Sequence, residues 1–154
     1  MNEEQPGDKE KPGVVDDGLG GLTYKVIGLA MAVHNDLGPG HRESTYHNAM
    51  HQRYLDAGYT AENEPELPIY DENGNFVNFY RPDHRVNGVL LTEYKAHFHP
   101  ISSDDVAQCI DYLACSDCKV VLIFNFARRR LELKRIFPPK KITTHHRQRW
   151  QHPP

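Results

Sequence analysis

Residues 81–95 read RPDHRVNGVLLTEYK, and they carry the strongest structural and chemical signal in the chain. Asp83, Glu93 and Lys95 stand in two strand-forming runs that are separated by a turn sequence, Asn87-Gly88. Strands seldom carry ionised residues on a buried face, because a desolvated charge is costly unless it is paired or binds a metal. We therefore predict that the two carboxylates bind a divalent cation.

The turn determines whether both carboxylates lie on one face of the sheet. Side chains alternate between the two faces along a strand, so Glu93 and Lys95 share a face. A regular two-residue loop, Asn87-Gly88, would place Asp83 opposite Thr92 and leave the two carboxylates on opposite faces. That arrangement would exclude a shared metal site.

Two irregular hairpins would bring the carboxylates together. A three-residue loop, Val86-Asn87-Gly88, with a left-handed Gly88 would place Asp83 diagonal to Glu93 on one face. Pro82 could supply the same offset by interrupting the strand pairing beside Asp83. A metal site therefore requires an irregular hairpin at one of these positions.

Carboxylates and a lysine in this arrangement suit phosphodiester chemistry. Carboxylate oxygens are the hard ligands that Mg²⁺ and Mn²⁺ prefer, and Lys95 can hold the attacking water or a phosphate oxygen. Such an ion lowers the pKa of bound water and offsets charge that develops on a phosphodiester in the transition state. The alternative is a surface ion pair between Glu93 and Lys95 without chemistry.

The apolar periodicity around the hairpin predicts the order of the elements. Two helices come first, an antiparallel meander follows, and a third helix begins at Ser102 or Ser103. The continuous apolar run 120–124 predicts a strand that is buried on both faces. Predicted helices span 23–37, 42–57 and 102–114; predicted strands span 59–64, 67–70, 76–85, 89–97, 120–124 and 131–137. This order predicts an α/β (α+β) fold with a central mixed sheet of about five strands flanked by helices.

Charge is unevenly distributed along the 154 residues. Residues 119–154 contain ten Lys or Arg and one Glu, a net charge of +9, which leaves −12 on the remainder of a chain whose total is −3. This asymmetry predicts a polyanionic partner on the C-terminal side, although a solvated strand edge and tail would carry the same charges. Composition further predicts a disordered leader at 1–21, a folded domain at 22–137 and a basic irregular tail at 138–154.

Cysteine usage and hydropathy indicate the compartment. The three cysteines, the lack of a secretory leader and the lack of a long apolar run predict a reduced cytoplasmic protein that does not enter the membrane. Cys115 and Cys118, with His97 and His99, offer an alternative zinc site. The histidines at 47 and 51 are expected to face solvent.

Four motifs occur in a characteristic order: Gly40-His41-Arg42-Glu43-Ser44-Thr45-Tyr46, Arg81-Pro82-Asp83, Glu93-Tyr94-Lys95-Ala96 and Gln108-Cys109-Ile110-Asp111-Tyr112. In these motifs the chain resembles the PD-(D/E)XK nuclease superfamily and, within it, the small bacterial GxxExxY proteins. The resemblance covers about residues 22–137 and implies a restriction-endonuclease-like core. Polar residues at 92 and 94 depart from the more apolar strand of many members.

The resemblance also implies an activity and a set of site residues. It implies an Mg²⁺-dependent (or Mn²⁺-dependent) phosphodiesterase that hydrolyses DNA or RNA. Asp83, Glu93 and the Tyr94 carbonyl would bind the metal, and Lys95 would be catalytic. Glu43 would approach the ion from its helix, directly or through water.

Further positions are expected to bind the substrate. The resemblance implies that Gln108 and Tyr112 steady the site or the strand being cut. Tyr46 lies three positions after Glu43 on the same helix face. The alternative is that Glu43 complements the helix dipole and that both tyrosines are core aromatics with polar tips.

The basic run Arg128-Arg129-Arg130 is expected in the turn between the last two strands, where three cations could hold phosphates. A small catalytic core without a reading module would take its specificity from a protein partner or from the ends or structure of the nucleic acid. Function belongs to a site and not to a fold. The alternative function is therefore a catalytically weak or inactive nucleic-acid-binding accessory module of the same fold.

Overall fold

A computed structural model of the chain describes residues 19–139. Most of the predicted leader and of the predicted basic tail, residues 1–18 and 140–154, lies outside the described residues. Three helices and seven strands are described. They are α1 (Leu22–Leu37), α2 (Glu43–Asp56), β1 (Ala61–Asn63), β2 (Leu67–Tyr70), β3 (Phe76–Tyr80), β4 (His84–Val86), β5 (Leu90–Lys95), α3 (Ser103–Ala114), β6 (Val120–Asn125) and β7 (Glu132–Ile136).

The central sheet has five strands in the order β1-β4-β5-β6-β7, and β2 and β3 form a separate two-stranded sheet. The neighbours β5 and β6 are parallel and are connected through α3, whereas the other neighbours in the sheet are antiparallel. Parallel neighbours need such a crossover because a short turn can only reverse the chain. The prediction of a mixed five-stranded sheet with flanking helices in an α+β fold is confirmed.

The predicted meander is wrong in its connections. β1 pairs with β4, not with β2, and the predicted strand 76–85 is divided into β3 and β4. The division falls at residues 81–83, where Pro82 has no N–H to donate to a neighbouring strand. The chain from 67 to 80 therefore leaves the sheet as a hairpin and returns at His84.

Helices cover both faces of the central sheet. One core lies under α1 and α2, where Tyr46, Met50 and Tyr54 pack on even-numbered strand residues such as Tyr94 and Leu122. The second core lies under α3, and its strand residues are mainly odd-numbered: Leu91, Val121 and Ile123. The period of two shows that β5 and β6 are covered on both sides, as the apolar run at 120–124 predicts.

The turn between β4 and β5 has the irregularity that a shared carboxylate site requires. Val86 pairs with Leu90, so the loop contains three residues, Asn87, Gly88 and Val89. Asn87 and Gly88 are both left-handed, with φ of 50° and 72°, a conformation that Gly and Asn adopt more readily than other residues. The predicted three-residue loop is therefore present. It contains Val89, whereas the prediction had Val86 in the loop.

Within residues 19–139, no helix combines the length and the apolar composition needed to cross a membrane.

Candidate active site

Several elements end together at the C-terminal end of β5. Glu93 and Lys95 occupy this end of the strand, and Lys95 is in register with Asn125, the last residue of β6. The first turn of α3 reaches the same place, since Lys95 Nζ lies 4.0 Å from an oxygen of Asp105. Glu43, at the start of α2, accepts a 3.4 Å hydrogen bond from the Ala96 N–H. The end of β5 is therefore the point at which the predicted motifs converge.

Asp83 and Glu93 contact each other at this end of the sheet. The pair His84 and Thr92 is the last in the β4–β5 register, and one step further brings Asp83 opposite Glu93. Their carboxyl groups lie within hydrogen-bonding reach. Asp83 Oδ2 also accepts a 2.7 Å hydrogen bond from the Tyr94 N–H, so its carboxylate substitutes for a backbone acceptor where strand pairing ends.

The two carboxylates differ in their tendency to ionise. Burial and then the neighbouring Asp83 raise the pKa of Glu93 well above its usual range. Burial also opposes ionisation of Asp83, but hydrogen bonds from His47 and from the Tyr94 N–H outweigh it and lower the pKa of Asp83. The two neighbouring carboxyl groups therefore oppose each other's ionisation, and a cation of charge +2 would allow both to ionise together.

One carboxylate oxygen of this pair is buried without a hydrogen-bond partner. Glu93 is 7% exposed, and its Oε2 atom is buried without a hydrogen-bond partner. A buried carboxylate oxygen without a partner costs free energy unless a ligand completes it. The donor set therefore fits a hard divalent cation.

The protein supplies only part of the ligand shell of such a cation. Among residues 19–139, no three His, Cys, Asp or Glu side chains are grouped so that they could hold a metal ion. Mg²⁺ is commonly bound through one or two carboxylates and keeps several waters. Two carboxylates at 83 and 93, with the Tyr94 carbonyl that the resemblance implies, agree with that mode of binding.

Lys95 is held by the helix that faces it. Its Nζ donates to Gln108 Oε1 at 3.1 Å, and it lies 4.0 Å from Asp105 Oδ1. Asp105 also completes a capping box with Ser102, which fixes the first turn of α3. Asp105 lies three residues before Gln108 and therefore on the same face of α3.

Tyr112 lies one turn after Gln108 on the same face of α3. Its hydroxyl is within hydrogen-bonding reach of Glu93, and its ring is in edge contact with Tyr80 at 6.0 Å. Tyr112 is buried. The structure therefore places Gln108 beside Lys95 and Tyr112 beside Glu93, as one row along the helix.

Tyr46 lies apart from the carboxylates. It is fully buried and stacks on Phe126 with ring centroids 4.4 Å apart. Its hydroxyl donates to the Gly38 carbonyl at 2.6 Å and accepts from the His41 N–H at 3.3 Å. These contacts fasten the loop that precedes α2, while Glu43, the first residue of α2, is exposed and meets the end of β5.

His47 is a site residue that the sequence interpretation missed. It was expected to face solvent with His51, but its Nδ1 lies 3.2 Å from Asp83 Oδ1 and its Nε2 lies 3.0 Å from Asn63 Oδ1. The hydrogen bond with Asp83 is the main cause that raises the pKa of His47. The expectation for His51 is also wrong, because its Nδ1 lies 3.1 Å from His84 Nε2.

The reason for this error is tertiary. The spacing of four residues between the two histidines correctly indicates one helix face. Which face packs on the sheet depends on how α2 crosses β1 and β5, and this has no signature in a helix whose apolar residues are few. A histidine on a mostly polar helix is therefore not distinguishable from a surface residue by periodicity.

A fully buried polar cluster lies beneath His47. The Tyr94 hydroxyl is 2.6 Å from the Tyr54 hydroxyl, 2.8 Å from Thr92 Oγ1 and 2.9 Å from His84 Nδ1. Burial, and then the neighbouring histidines, lower the pKa of His84 to about 3. The polar residues at 92 and 94 that depart from the apolar pattern are thus paired with each other and with α2.

The arginine run lies where the sequence predicts it. Residues 128–130 are exposed and fall between the end of β6 and the start of β7. The His34 ring nitrogen lies 2.9 Å from the Arg128 carbonyl oxygen, which ties the turn to α1. Because β6 ends beside Lys95, the turn begins at the end of the sheet that holds the carboxylates.

The alternative zinc site is not formed. Cys118 approaches the Gly88 carbonyl, before the start of β5, whereas His97 follows the other end of that strand. A strand of six residues spans about 20 Å, so the two pairs lie at opposite ends of the sheet. Cys115, Cys118 and Cys109 are buried free thiols, and burial raises the pKa of Cys109 to about 12.

Comparison with known proteins agrees with the fold. A protein-family model of the PD-(D/E)XK nuclease superfamily matches residues 21–136, about three quarters of the chain. Neither the curated proteins nor the solved structures contain a match. The superfamily consists of nuclease-like domains that generally depend on divalent metals, and the smaller GxxExxY group stays a prediction. The matched range runs from the start of α1 to the end of β7, and the chain belongs to the PD-(D/E)XK nuclease superfamily.

Proposed function

We propose that the chain hydrolyses phosphodiester bonds of DNA or RNA with Mg²⁺, or Mn²⁺, bound between Asp83 and Glu93. The observation that carries the proposal is the buried pair itself. The carboxyl groups of Asp83 and Glu93 are buried within hydrogen-bonding reach of each other, and Glu93 Oε2 has no partner. Such a pair destabilises the folded chain unless a cation binds, so its presence at the end of β5 supports a metal site.

Each site residue has a distinct role in this proposal. Asp83, Glu93 and the Tyr94 carbonyl would hold the cation, which when bound supplies Lewis acidity and a water of lowered pKa. Lys95 donates a hydrogen bond to the attacking water or to a phosphate oxygen. Glu43 lies at the end of β5 and would approach through a water molecule.

The helix α3 keeps Lys95 in place during the reaction. Gln108 accepts from the Lys95 ammonium, which leaves other N–H bonds of that group free for the phosphate. Tyr112 hydrogen-bonds Glu93 and excludes water from that side. Water oxygen forms the new bond to phosphorus and releases a proton to solvent, the bond to the leaving ribose or deoxyribose oxygen breaks, and that oxygen takes a proton from solvent.

Substrate phosphates would be bound by Arg128, Arg129 and Arg130, which follow the end of β6. Arginine suits this role because its guanidinium donates two parallel hydrogen bonds to one phosphate. We assign Tyr46 a supporting role, since its hydroxyl is used within the loop before α2. A nucleic acid lying along this end of the sheet would meet the arginines and the cation together.

One panel tests the proposal. Single- and double-stranded DNA and RNA are incubated with Mg²⁺, Mn²⁺ or EDTA, and cleavage by the wild type is compared with Asp83→Ala and Lys95→Ala. We expect cleavage that EDTA abolishes and that falls by about 10²-fold or more in each variant. Lys119→Ala is the matched control, because Lys119 is exposed at the opposite end of β6.

Robust cleavage by folded Asp83→Ala and Lys95→Ala would refute a nuclease site at this position. The second candidate function is a nucleic-acid-binding accessory module. The observation that favours it is the small number of grouped acidic ligands among the described residues, with Glu43 directed at the Ala96 N–H. Salt-sensitive binding without turnover, across all metals and substrates, would support that alternative.

A further inference from the structure

The orientation of Asp83 depends on two tethers from different elements. Its Oδ2 accepts from the Tyr94 N–H at 2.7 Å, and its Oδ1 lies 3.2 Å from His47 Nδ1. Strand pairing ends beside it, because β4 begins only at His84 and Pro82 precedes it. A carboxylate oxygen has two acceptor positions, so each of these bonds leaves one position for a cation.

The imidazole of His47 is itself fixed on three sides. Its Nε2 lies 3.0 Å from Asn63 Oδ1, its ring stacks on His84 at 4.2 Å, and its edge meets Tyr94 at 5.8 Å. Asn63 and His84 are direct partners in the β1–β4 register. A ring held by α2 and by two paired strand residues has little freedom, so it can restrain the carboxylate that it contacts.

His51 provides a comparison within the same helix. It lies one turn further along α2, its ring stacks on His84 at 5.2 Å, and its Nδ1 reaches His84 Nε2 at 3.1 Å. It thus shares the stacking partner of His47 but directs its nitrogen at His84 and not at Asp83. Any effect specific to the Asp83 contact should appear at residue 47 alone.

We propose that His47 is a positioning residue, which holds Asp83 in the orientation that allows Asp83 and Glu93 to bind one divalent cation. The inference rests on the proposed metal site and extends it to a residue of α2. Hydrogen-bond partners of metal-binding groups typically contribute 10- to 100-fold in metal affinity. Without His47, the Asp83 side chain keeps the Tyr94 N–H and its contact with Glu93 but loses the restraint from α2, so it can turn within the site.

Binding of Mn²⁺ to the full-length chain tests the inference without any turnover. Free Mn²⁺ is measured by its electron paramagnetic resonance signal, for the wild type and for His47→Ala, His47→Asn and His51→Ala. We expect His47→Ala to weaken binding by about 10- to 100-fold. His47→Asn should recover much of the affinity, since its amide nitrogen takes the place of Nδ1. His51→Ala should stay within about threefold of the wild type.

Cleavage kinetics provide a second measurement that separates positioning from folding. For His47→Ala, the Mn²⁺ concentration that gives half-maximal rate should rise, while kcat at saturating Mn²⁺ and KM for the nucleic acid stay close to wild type. If His47 has a purely structural role, Tm should fall in both His47→Ala and His51→Ala, and the Mn²⁺ affinity of each should equal that of the wild type. If His47→Ala does not fold, His47→Gln replaces it, because its longer amide reaches Asn63 and not Asp83.

The outcomes distinguish this inference from the proposed function. If Asp83→Asn abolishes Mn²⁺ binding but His47→Ala binds like the wild type, the role of His47 is refuted and the metal site stands. If the wild type binds no Mn²⁺, the metal site and the role of His47 are refuted together. Equal losses in His47→Ala and His51→Ala would also overturn the inference, since they would show an effect of the stacked histidines as a group.

Discussion

At the scale of single residues, Glu93 is the carboxylate in the least favourable environment of the proposed site. Glu93 is buried beside Asp83, with an unpartnered Oε2 atom and a pKa that burial raises. A bound ligand can compensate a buried carboxylate without a partner. Carboxylates with strongly shifted pKa values are common at functional sites. Glu93 is therefore the residue whose substitution separates metal binding from folding most cleanly.

Replacing Glu93 by Gln should stabilise the metal-free chain and remove its response to metal. The amide removes a buried acid beside Asp83 and can donate a hydrogen bond to it. Thermal unfolding should give an equal or higher Tm for Glu93→Gln without metal, and no further rise with Mn²⁺. The control is Glu66→Gln, which alters an exposed ion pair with Arg81 and should keep the rise in Tm with Mn²⁺. If Tm of Glu93→Gln rose with Mn²⁺ as much as that of the wild type, the proposed metal site would be contradicted.

The raised pKa of Glu93 predicts how pH affects the metal-free chain. Above the ordinary carboxyl pKa, the folded state retains a proton that the unfolded chain releases, so stability falls as pH rises, by at most about 1.4 kcal/mol per pH unit. The raised pKa of His47 acts in the same direction above pH 6.5. A bound cation keeps both carboxylates ionised and removes the contribution of Glu93.

The rise in Tm on adding Mn²⁺ should accordingly be larger at pH 8 than at pH 6. Calorimetric scans of the wild type with and without Mn²⁺ at the two pH values measure the difference. In Glu93→Gln, Mn²⁺ should not raise Tm more at pH 8 than at pH 6. The Tm of this variant should retain only the smaller pH dependence due to His47. An increment in Tm that is equal at both pH values would argue against the raised pKa of Glu93.

At the scale of elements, the β4–β5 hairpin determines whether the site exists. Its three-residue loop places Asp83 and Glu93 opposite each other. Asn87 also bonds to Thr60, just before β1: its N–H donates to the Thr60 carbonyl at 2.9 Å, and its Oδ1 accepts from the Thr60 N–H at 3.0 Å. The turn thus fixes the register of β4 against both neighbours. A change of one residue in loop length would move the carboxylates to different faces.

Gly88 and Gly28 should respond to alanine with opposite signs. Gly88 is left-handed, so Gly88→Ala should lower the free energy of unfolding by about 1 kcal/mol. Gly28 lies inside α1 with open space around an added Cβ atom, so Gly28→Ala should raise it by up to about 1 kcal/mol. Urea unfolding of both variants measures the pair; stabilisation by Gly88→Ala would contradict the assigned turn.

The buried cluster around Tyr94 should contribute to stability and not to metal binding. Tyr94→Phe leaves Tyr54, Thr92 and His84 without a shared partner, which should cost about 3 kcal/mol of unfolding free energy. Mn²⁺ affinity should persist, since only the backbone of residue 94 is assigned to the cation. Tyr24→Phe, at an exposed position, is the control, and a cost below 1 kcal/mol in Tyr94→Phe would contradict the hydrogen-bonded cluster.

At the scale of the whole molecule, opposite charges are placed on two sides of one site. The acidic pair closes the end of β5, and the arginine turn starts where β6 ends beside it. A polyanion drawn to the arginines would come next to the acidic pair, whose charge the proposed cation would neutralise locally. This arrangement fits a phosphodiester substrate.

Replacing Arg128, Arg129 and Arg130 together by Gln should weaken nucleic-acid binding more at low salt than at high salt. Each phosphate contact contributes about 0.7 to 0.9 to the slope of log affinity against log salt, so the slope should fall by about 2 to 3. Fluorescence anisotropy over a salt series measures it. The control is the double variant Lys25→Gln, Arg53→Gln, on the helices α1 and α2, which should leave the slope nearly unchanged. An unchanged slope in the triple arginine variant would exclude the turn as the phosphate site.

Much of this arrangement was predictable because it depends on local patterns. The helix and strand periods, the Asn87-Gly88 turn and the arginine turn follow from side-chain spacing and backbone preference. The division of the strand at Pro82 was partly predictable, since proline cannot donate to a ladder. The departure of the hairpin 67–80 from the sheet was not, because strand partners are chosen by contacts across the whole domain.

The sequence alone determined the class of fold, the superfamily and the identity of the paired acids, because these reside in short motifs and in apolar periodicity. Only the tertiary structure decided that Val89 and not Val86 joins the loop, that β1 pairs with β4, and that His47 of α2 meets Asp83. Each of these depends on which surfaces pack, and packing is a property of residues far apart in the chain. A histidine on the surface and a histidine beside a carboxylate cannot be distinguished from the sequence, because the difference lies in how the helix packs.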